Sequence, residues 1–150
     1  MKSTALLVSV VALVIVLVRA ADPKSENVTH FPAERVAAGF AKGGPLLETG
    51  DYKIHTARRA ASGEAELHVA DTDIFHIIDG SATFVTGGTI EDQRTEAPGE
   101  IRGKEITGGK AQQLQKGDVI VIPAGVPHWF KEVNPPLLYY VVKVTNKQVK

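Results

Sequence analysis

The apolar and polar positions of this chain fall into three regimes. From Tyr52 onward the apolar residues come in short runs: Tyr52–Arg58, Glu64–Val69, Ile74–Ile78, Ala82–Thr86, Val119–Ile122, His128–Lys131 and Leu137–Val144. Turn-forming groups separate them: Ser62-Gly63, Asp79-Gly80, Gly87-Gly88, Lys116-Gly117-Asp118, Pro123-Ala124-Gly125 and Asn134-Pro135-Pro136. Short strands punctuated by turns predict an all-β sandwich or barrel. Before Tyr52 the pattern is mixed, and one helix is expected over Ala33–Lys42, broken by Gly43-Gly44-Pro45. Thr89 to Gln113, rich in glycine and charge, fits neither regime and reads as a long polar loop. It is expected near a rim of the fold, as a lid or subunit contact on a rigid scaffold or as a solvated hairpin without a role.

The first twenty residues form the third regime. Lys2 precedes an apolar run from Ala5 to Val18, interrupted only by Ser9, and Val18-Arg19-Ala20 offers a cleavage site. This is the layout of a secretory signal peptide, the alternative being an uncleaved anchor. The run falls short of the roughly twenty residues a membrane-spanning helix needs. The expected division is therefore a signal peptide over 1–20, an N-terminal arm over 21–50 and one β domain over 51–150, secreted or periplasmic.

Charge and cysteine content narrow the chemistry. The whole chain has a formal net charge of +0. Cleavage after Ala20 removes two bases, Lys2 and Arg19, and leaves −2. No electrostatic footprint for nucleic acid or an anionic membrane surface follows from such a balance. The expected partner is a small molecule, with no membrane once the leader is gone. The oligomeric state stays open, a homodimer included. The chain has no cysteine. That excludes thiol nucleophiles, thiolate-bound zinc and iron–sulfur clusters, and leaves an exported domain to rest on its core. Asn27-Val28-Thr29 matches a glycosylation acceptor, which matters only in a eukaryotic host. No phosphate-binding loop or nucleophile elbow is present.

Two segments carry candidate chemistry. In Gly117-Asp118-Val119-Ile120-Val121-Ile122-Pro123-Ala124-Gly125-Val126-Pro127-His128, a turn leads into an apolar strand. A Pro/Gly turn follows, and then a histidine enters the next strand. This resembles the second motif of the cupin family at every fixed position through His128; where the family carries Asn, this chain has Glu132. The segment from Gly63 to Gly80 resembles the first cupin motif with departures. Anchored on Gly80, the family's Glu falls on Asp73, its second His on His68 and its first His on Glu66.

The resemblance implies a double-stranded β-helix, the jelly-roll barrel, with a mononuclear metal site drawn from Glu66, His68, Asp73 and His128. Alternation along a strand agrees, placing Glu66 and His68 on one side, with Asp73 able to face them from the next run along the chain. Two imidazoles and a carboxylate with open positions form the ligand set of non-haem iron sites. A second carboxylate adds oxygen character, so Fe(II) or Mn(II) is favoured, with Zn or Ni also compatible. Glu66, if not a ligand, is the candidate general base. The competing readings are structural histidines, a solvent-facing Glu66, a turn acid at Asp73 and a cupin that has lost its metal. His76 sits at the opposite parity, and His55 and His30 have no motif around them. Trp129, Phe130, Phe75 and Phe84 read as core and pocket wall. Implied functions are a metal-dependent enzyme, oxidative or isomerising, on a small oxygen-rich molecule, or a binding protein for a sugar or organic acid.

Overall fold

A computed structural model describes residues 27–146. Helix α1 (Ala33–Lys42) spans the segment expected to be helical. Eleven strands follow: β1 (Gly44–Glu48), β2 (Tyr52–Arg59), β3 (Ala65–His68), β4 (Asp71–Thr86), β5 (Thr89–Ile90), β6 (Arg94–Ala97), β7 (Glu100–Gly103), β8 (Ile106–Thr107), β9 (Lys110–Gln115), β10 (Val119–Ile122) and β11 (His128–Thr145). The signal-peptide and cleavage-site expectations lie outside the described residues. Among the described residues no helix is long and apolar enough to cross a membrane.

Two long strands organise the barrel. β4 and β11 run antiparallel over almost their whole lengths, from Asp71↔Thr145 to Thr86↔His128. Within one curled nine-stranded sheet, their first and second halves have different neighbours. The first half of β4 and the second half of β11 join β10, β2 and β1. The second half of β4 and the first half of β11 join β9, β3, β7 and β6. The runs Ile74–Ile78 and Ala82–Thr86, read from sequence as separate strands, are thus one strand bent at Asp79-Gly80. His128–Lys131 and Leu137–Val144 merge in the same way, with the register shifting between Asn134 and Leu138.

The bends also exchange the inward-facing parity. On β4 the buried residues are Asp71, Asp73, Phe75 and Ile77 before the bend, and Ala82 and Phe84 after it, with Val85 buried on the opposite face in a second small core. On β11 they are His128 and Phe130, then Leu137, Tyr139 and Val141. An irregularity in a strand is what permits such a change of face. Gly80 makes the bend feasible: its φ is 81°, and a Cβ there would lie 2.5 Å from the Pro136 carbonyl oxygen. The two inner faces meet in one core of Phe75, Ile77, Phe84, Leu114, Ile122, Phe130, Leu137 and Tyr139. Helix α1 covers the outer face of β2, where Gly39 lies against Thr56, and Phe40 meets Tyr140 edge-on at 4.9 Å.

The segment Thr89–Gln113 is not a loop. β5 and β8 pair as a two-stranded ladder, and β6 and β7 form a hairpin. β7 then pairs with β3, setting Arg102 opposite Glu66 and Glu100 opposite His68. Ile90 and Ile106 close a second small core with Ala65 and Val85. The polar composition hid these strands because β6 is exposed throughout and β7 only half-buried.

Candidate metal centre

Glu66 and His68 alternate with Leu67 on β3 and project to the inner side, as strand geometry requires. His128 opens β11 directly opposite Glu66. The Pro/Gly turn that delivers it is anchored to β3, the Gly125 N–H donating to the His68 carbonyl at 2.8 Å. Candidate ligand atoms of Glu66, His68 and His128 all lie within 4.8 Å of one another. Asp73 closes the group from β4: its Oδ2 is 3.4 Å from His68 Nε2 and 3.8 Å from His128 Nε2. Glu66 Oε2 lies 3.6 and 4.0 Å from the same two nitrogens. The structure therefore brings all four sequence-derived candidates to one place. His76 is exposed on the outer face, and half-buried His55 contacts Glu48 at 2.8 Å.

Hydrogen bonding fixes which imidazole atoms face the centre. His128 Nδ1 donates to the Val126 carbonyl at 3.0 Å, and a carbonyl can only accept. His68 Nδ1 donates to the Glu100 carboxylate at 2.7 Å. Both rings are thereby oriented with Nε2 inward, the atom that carries the lone pair in the neutral imidazole. Neither Nε2 has a hydrogen-bond partner, although both residues are almost fully buried. Buried polar atoms without partners are rare and mark a missing partner. Two such lone pairs converging on two carboxylates form a donor set that fits a divalent transition ion. The carboxylate–histidine pair of Glu100 and His68 is the outer support that metal-bound imidazoles commonly have.

The surroundings hold Glu66 charged. Burial works against its carboxylate, but His68, Arg102, His128 and Arg59 outweigh it and keep its pKa far below the ordinary range. For His68, burial is outweighed by the carboxylates of Glu66, Asp73 and Glu100, and the pKa rises despite Lys143. For His128 burial dominates and lowers the pKa, with the Val126 carbonyl and two carboxylates offsetting part.

Several participants were not foreseen from sequence. Arg102 pairs with Glu66, and also with Glu96 at 2.9 Å. Arg59 donates from Nη2 to Glu66 at 3.2 Å and from Nε to the Tyr139 hydroxyl at 2.8 Å. Lys143 grips both Asp73 oxygens at 2.8 and 2.9 Å. Strand parity was the available signal for one of them: Lys143 continues the inward series of Leu137, Tyr139 and Val141. Glu100 and Arg102 had none, because their pairing with β3 is set by the hairpin's register.

The centre opens into a small cavity walled by Phe75, Trp129, Phe130, Tyr139 and Val141 and edged by Arg59, Glu64 and Lys143. Trp129 is pinned by its indole N–H, which donates to the Gly63 carbonyl at 2.7 Å. Glu132, standing at the family's Asn, is exposed and accepts from Thr83 at 3.0 Å, outside the cavity lining.

A jelly-roll barrel with an inward His/His/carboxylate cluster on its first- and second-motif strands defines a cupin-type architecture. The chain belongs to the cupin family, whose profile matches residues 27–150. One solved structure agrees in fold, and two others show a weaker likeness. A Bacillus halodurans protein is 12% identical, with 85% of this chain and 89% of that one aligned at a TM-score of 0.58. A cupin protein from Bacteroides fragilis is 13% identical over 72% of this chain and 80% of that one, TM-score 0.49. A DMSP lyase from Ruegeria pomeroyi DSS-3 is 17% identical over 72% of this chain but 48% of that one, TM-score 0.48. No curated protein matches the chain.

The Glu100 contact has a measurable consequence. Glu100→Gln keeps the shape but replaces the carboxylate that orients His68, and outer-shell losses of this kind cost about 10- to 100-fold in metal affinity. Titration of the metal-free variant with Mn(II) is expected to show a loss in that range, and unchanged affinity would remove Glu100 from the support of the site.

Proposed function

We propose that this protein is an exported, metal-dependent enzyme acting on a small oxygen-rich organic molecule. One divalent transition-metal ion is held by His68 and His128 with Glu66 and Asp73. The observation that carries this reading is the pair of buried, unpartnered Nε2 atoms facing two carboxylates at the foot of a cavity. The mixed nitrogen and oxygen donors favour Fe(II) or Mn(II), with Zn and Ni also compatible. Such an ion, when bound, supplies Lewis-acid polarisation of an oxygen ligand and, for iron or manganese, a redox couple.

The chain's own residues do the rest. The aromatic walls exclude water and hold the substrate's carbon skeleton against the centre. Glu66, kept ionised by its neighbours, serves as an oxygen donor to the ion, since a carboxyl held so far below the operating pH is too weak a base to be the proton acceptor. Elemental analysis of purified protein tests the reading, with close to one transition-metal ion per chain expected.

One observation favours a second reading, a binding protein for a sugar or organic acid that works without metal. Every carboxylate of the centre already has a cationic or imidazole partner: Arg59 and Arg102 on Glu66, Lys143 on Asp73, His68 on Glu100. Protein that stays metal-free after incubation with iron and manganese would establish that reading instead. Export rests on the apolar run and on Val18-Arg19-Ala20. Protein from the native host is expected to have the intact mass of a chain beginning at Ala21; a mass that includes residues 1–20 would show an anchor.

A further inference from the structure

The charge balance around the centre bears on what binds there, and the inference rests on the metal reading above. Glu66, Asp73 and Glu100 supply three negative charges, and Arg59, Arg102 and Lys143 supply three positive ones. Glu96 on Arg102 and Glu64 at the cavity edge, itself paired with Arg94, add two carboxylates and one cation, so the acidic side chains exceed the basic ones by one. A divalent ion placed among these groups turns the balance positive and competes with Arg59 and Lys143 for the Glu66 and Asp73 carboxylates, in a half-buried site where opposite charge is needed close by.

The cations are not equally placed. Arg102 is tied to Glu66 and Glu96, and it is not part of the cavity wall. Arg59 and Lys143 line the cavity itself. Arg59 lies over the Phe130 ring at 4.6 Å, and its two hydrogen bonds, to Tyr139 and Glu66, use Nε and Nη2 and leave Nη1 over. Its guanidinium is thus fixed against Phe130, and Nη1, beside Gly63, is the donor left for an oxygen of an anion.

We propose that the ligand of this centre is a small organic carboxylate seated against Arg59 and Lys143 beside the metal ion, and that ion and carboxylate bind cooperatively. Each supplies the charge that the other leaves unbalanced. The apolar walls of Phe75, Phe130 and Tyr139 select an anion with a carbon skeleton over an inorganic one, which would shed its hydration shell against them without recompense. Linkage requires that each partner raise the other's affinity by the same factor.

The test is a titration of the full metal-stripped chain with Mn(II), reading the free ion by electron paramagnetic resonance at constant ionic strength. Three additions are compared: propionate, its neutral amide propionamide, and inorganic sulfate. Propionate is expected to tighten Mn(II) binding by about ten-fold or more, within the usual span of coupling between sites. Propionamide is expected to do nothing, and sulfate less than propionate. Arg59→Gln is expected to bind Mn(II) more tightly than the parent when no anion is added, and to lose most of the propionate effect. Lys143→Met gives the same pair of readings by an independent route should the first variant fold poorly. Mn(II) binding that is equally tight with propionate and propionamide would overturn the proposal while leaving the metal site intact. Sulfate matching propionate would overturn the carboxylate assignment. No Mn(II) binding under any condition would remove the metal reading, and this inference with it.

Discussion

Replacing His128 or His68 by alanine is expected to strip the protein of its metal. The two Nε2 atoms are the nitrogen donors of the cluster, and each ring is held by its own Nδ1 hydrogen bond. Without one of them, two carboxylates and a single imidazole remain. Those carboxylates are also claimed by Arg59, Arg102 and Lys143. The loss should therefore exceed the roughly 100-fold that mark the larger outer-shell effects. Elemental analysis after dialysis checks it, with circular dichroism to confirm folding. His128 packs among Phe75 and Phe84, at ring distances of 6.2 and 6.1 Å, so His128→Asn should accompany the alanine variant to keep volume in the core. Stoichiometric metal in folded variants of both histidines would place the ligands elsewhere.

The largest stability effect is expected at Phe84. Its ring is fully buried, 4.6 Å from Phe130 and 5.9 Å from Phe75 by centroids, and it forms the floor beneath His128. Phe84→Ala removes the burial of an aromatic ring and leaves a cavity that two bent strands cannot easily collapse. A loss of about 3–5 kcal/mol is expected, measured as a fall in the urea midpoint at constant slope. A change under about 1 kcal/mol would mean that the core reorganises around the site, contrary to close packing.

Much of the centre was legible because it lies on local signals. The run from Gly117 to His128 is a turn, a strand and a turn in unbroken sequence, and such patterns survive into structure. His68, Glu66 and Asp73 followed from the resemblance to the first cupin motif anchored on Gly80, with strand alternation in agreement. What escaped was non-local. Arg59 and Lys143 lie on outer runs of the sequence and meet the cluster only because the barrel curls. Glu100 and Arg102 come from a hairpin whose exposed, charged faces read as loop, and whose pairing with β3 no local pattern specifies. The bends in β4 and β11 were read as breaks for a related reason. Glycine and proline interrupt an apolar run identically whether the chain stops there or passes from one half of the curled sheet into the other.

The position of β11 along the chain governs when the protein can exist as a folded object. This strand is the last among the described residues, yet it pairs with β2, β3 and β4 and runs through both halves of the curled sheet. While a chain is being made, residues 27–127 can form hairpins but lack an inner strand of either half. They also lack His128, so the inward donor set is incomplete. Folding and assembly of the centre are thus deferred until synthesis has passed Thr145. The β4–β11 ladder then joins residues far apart in sequence, the kind of closure that makes β-barrels fold in milliseconds to seconds rather than microseconds. Completion of the inward donor set is in this sense a late event, set by the last strand to pair.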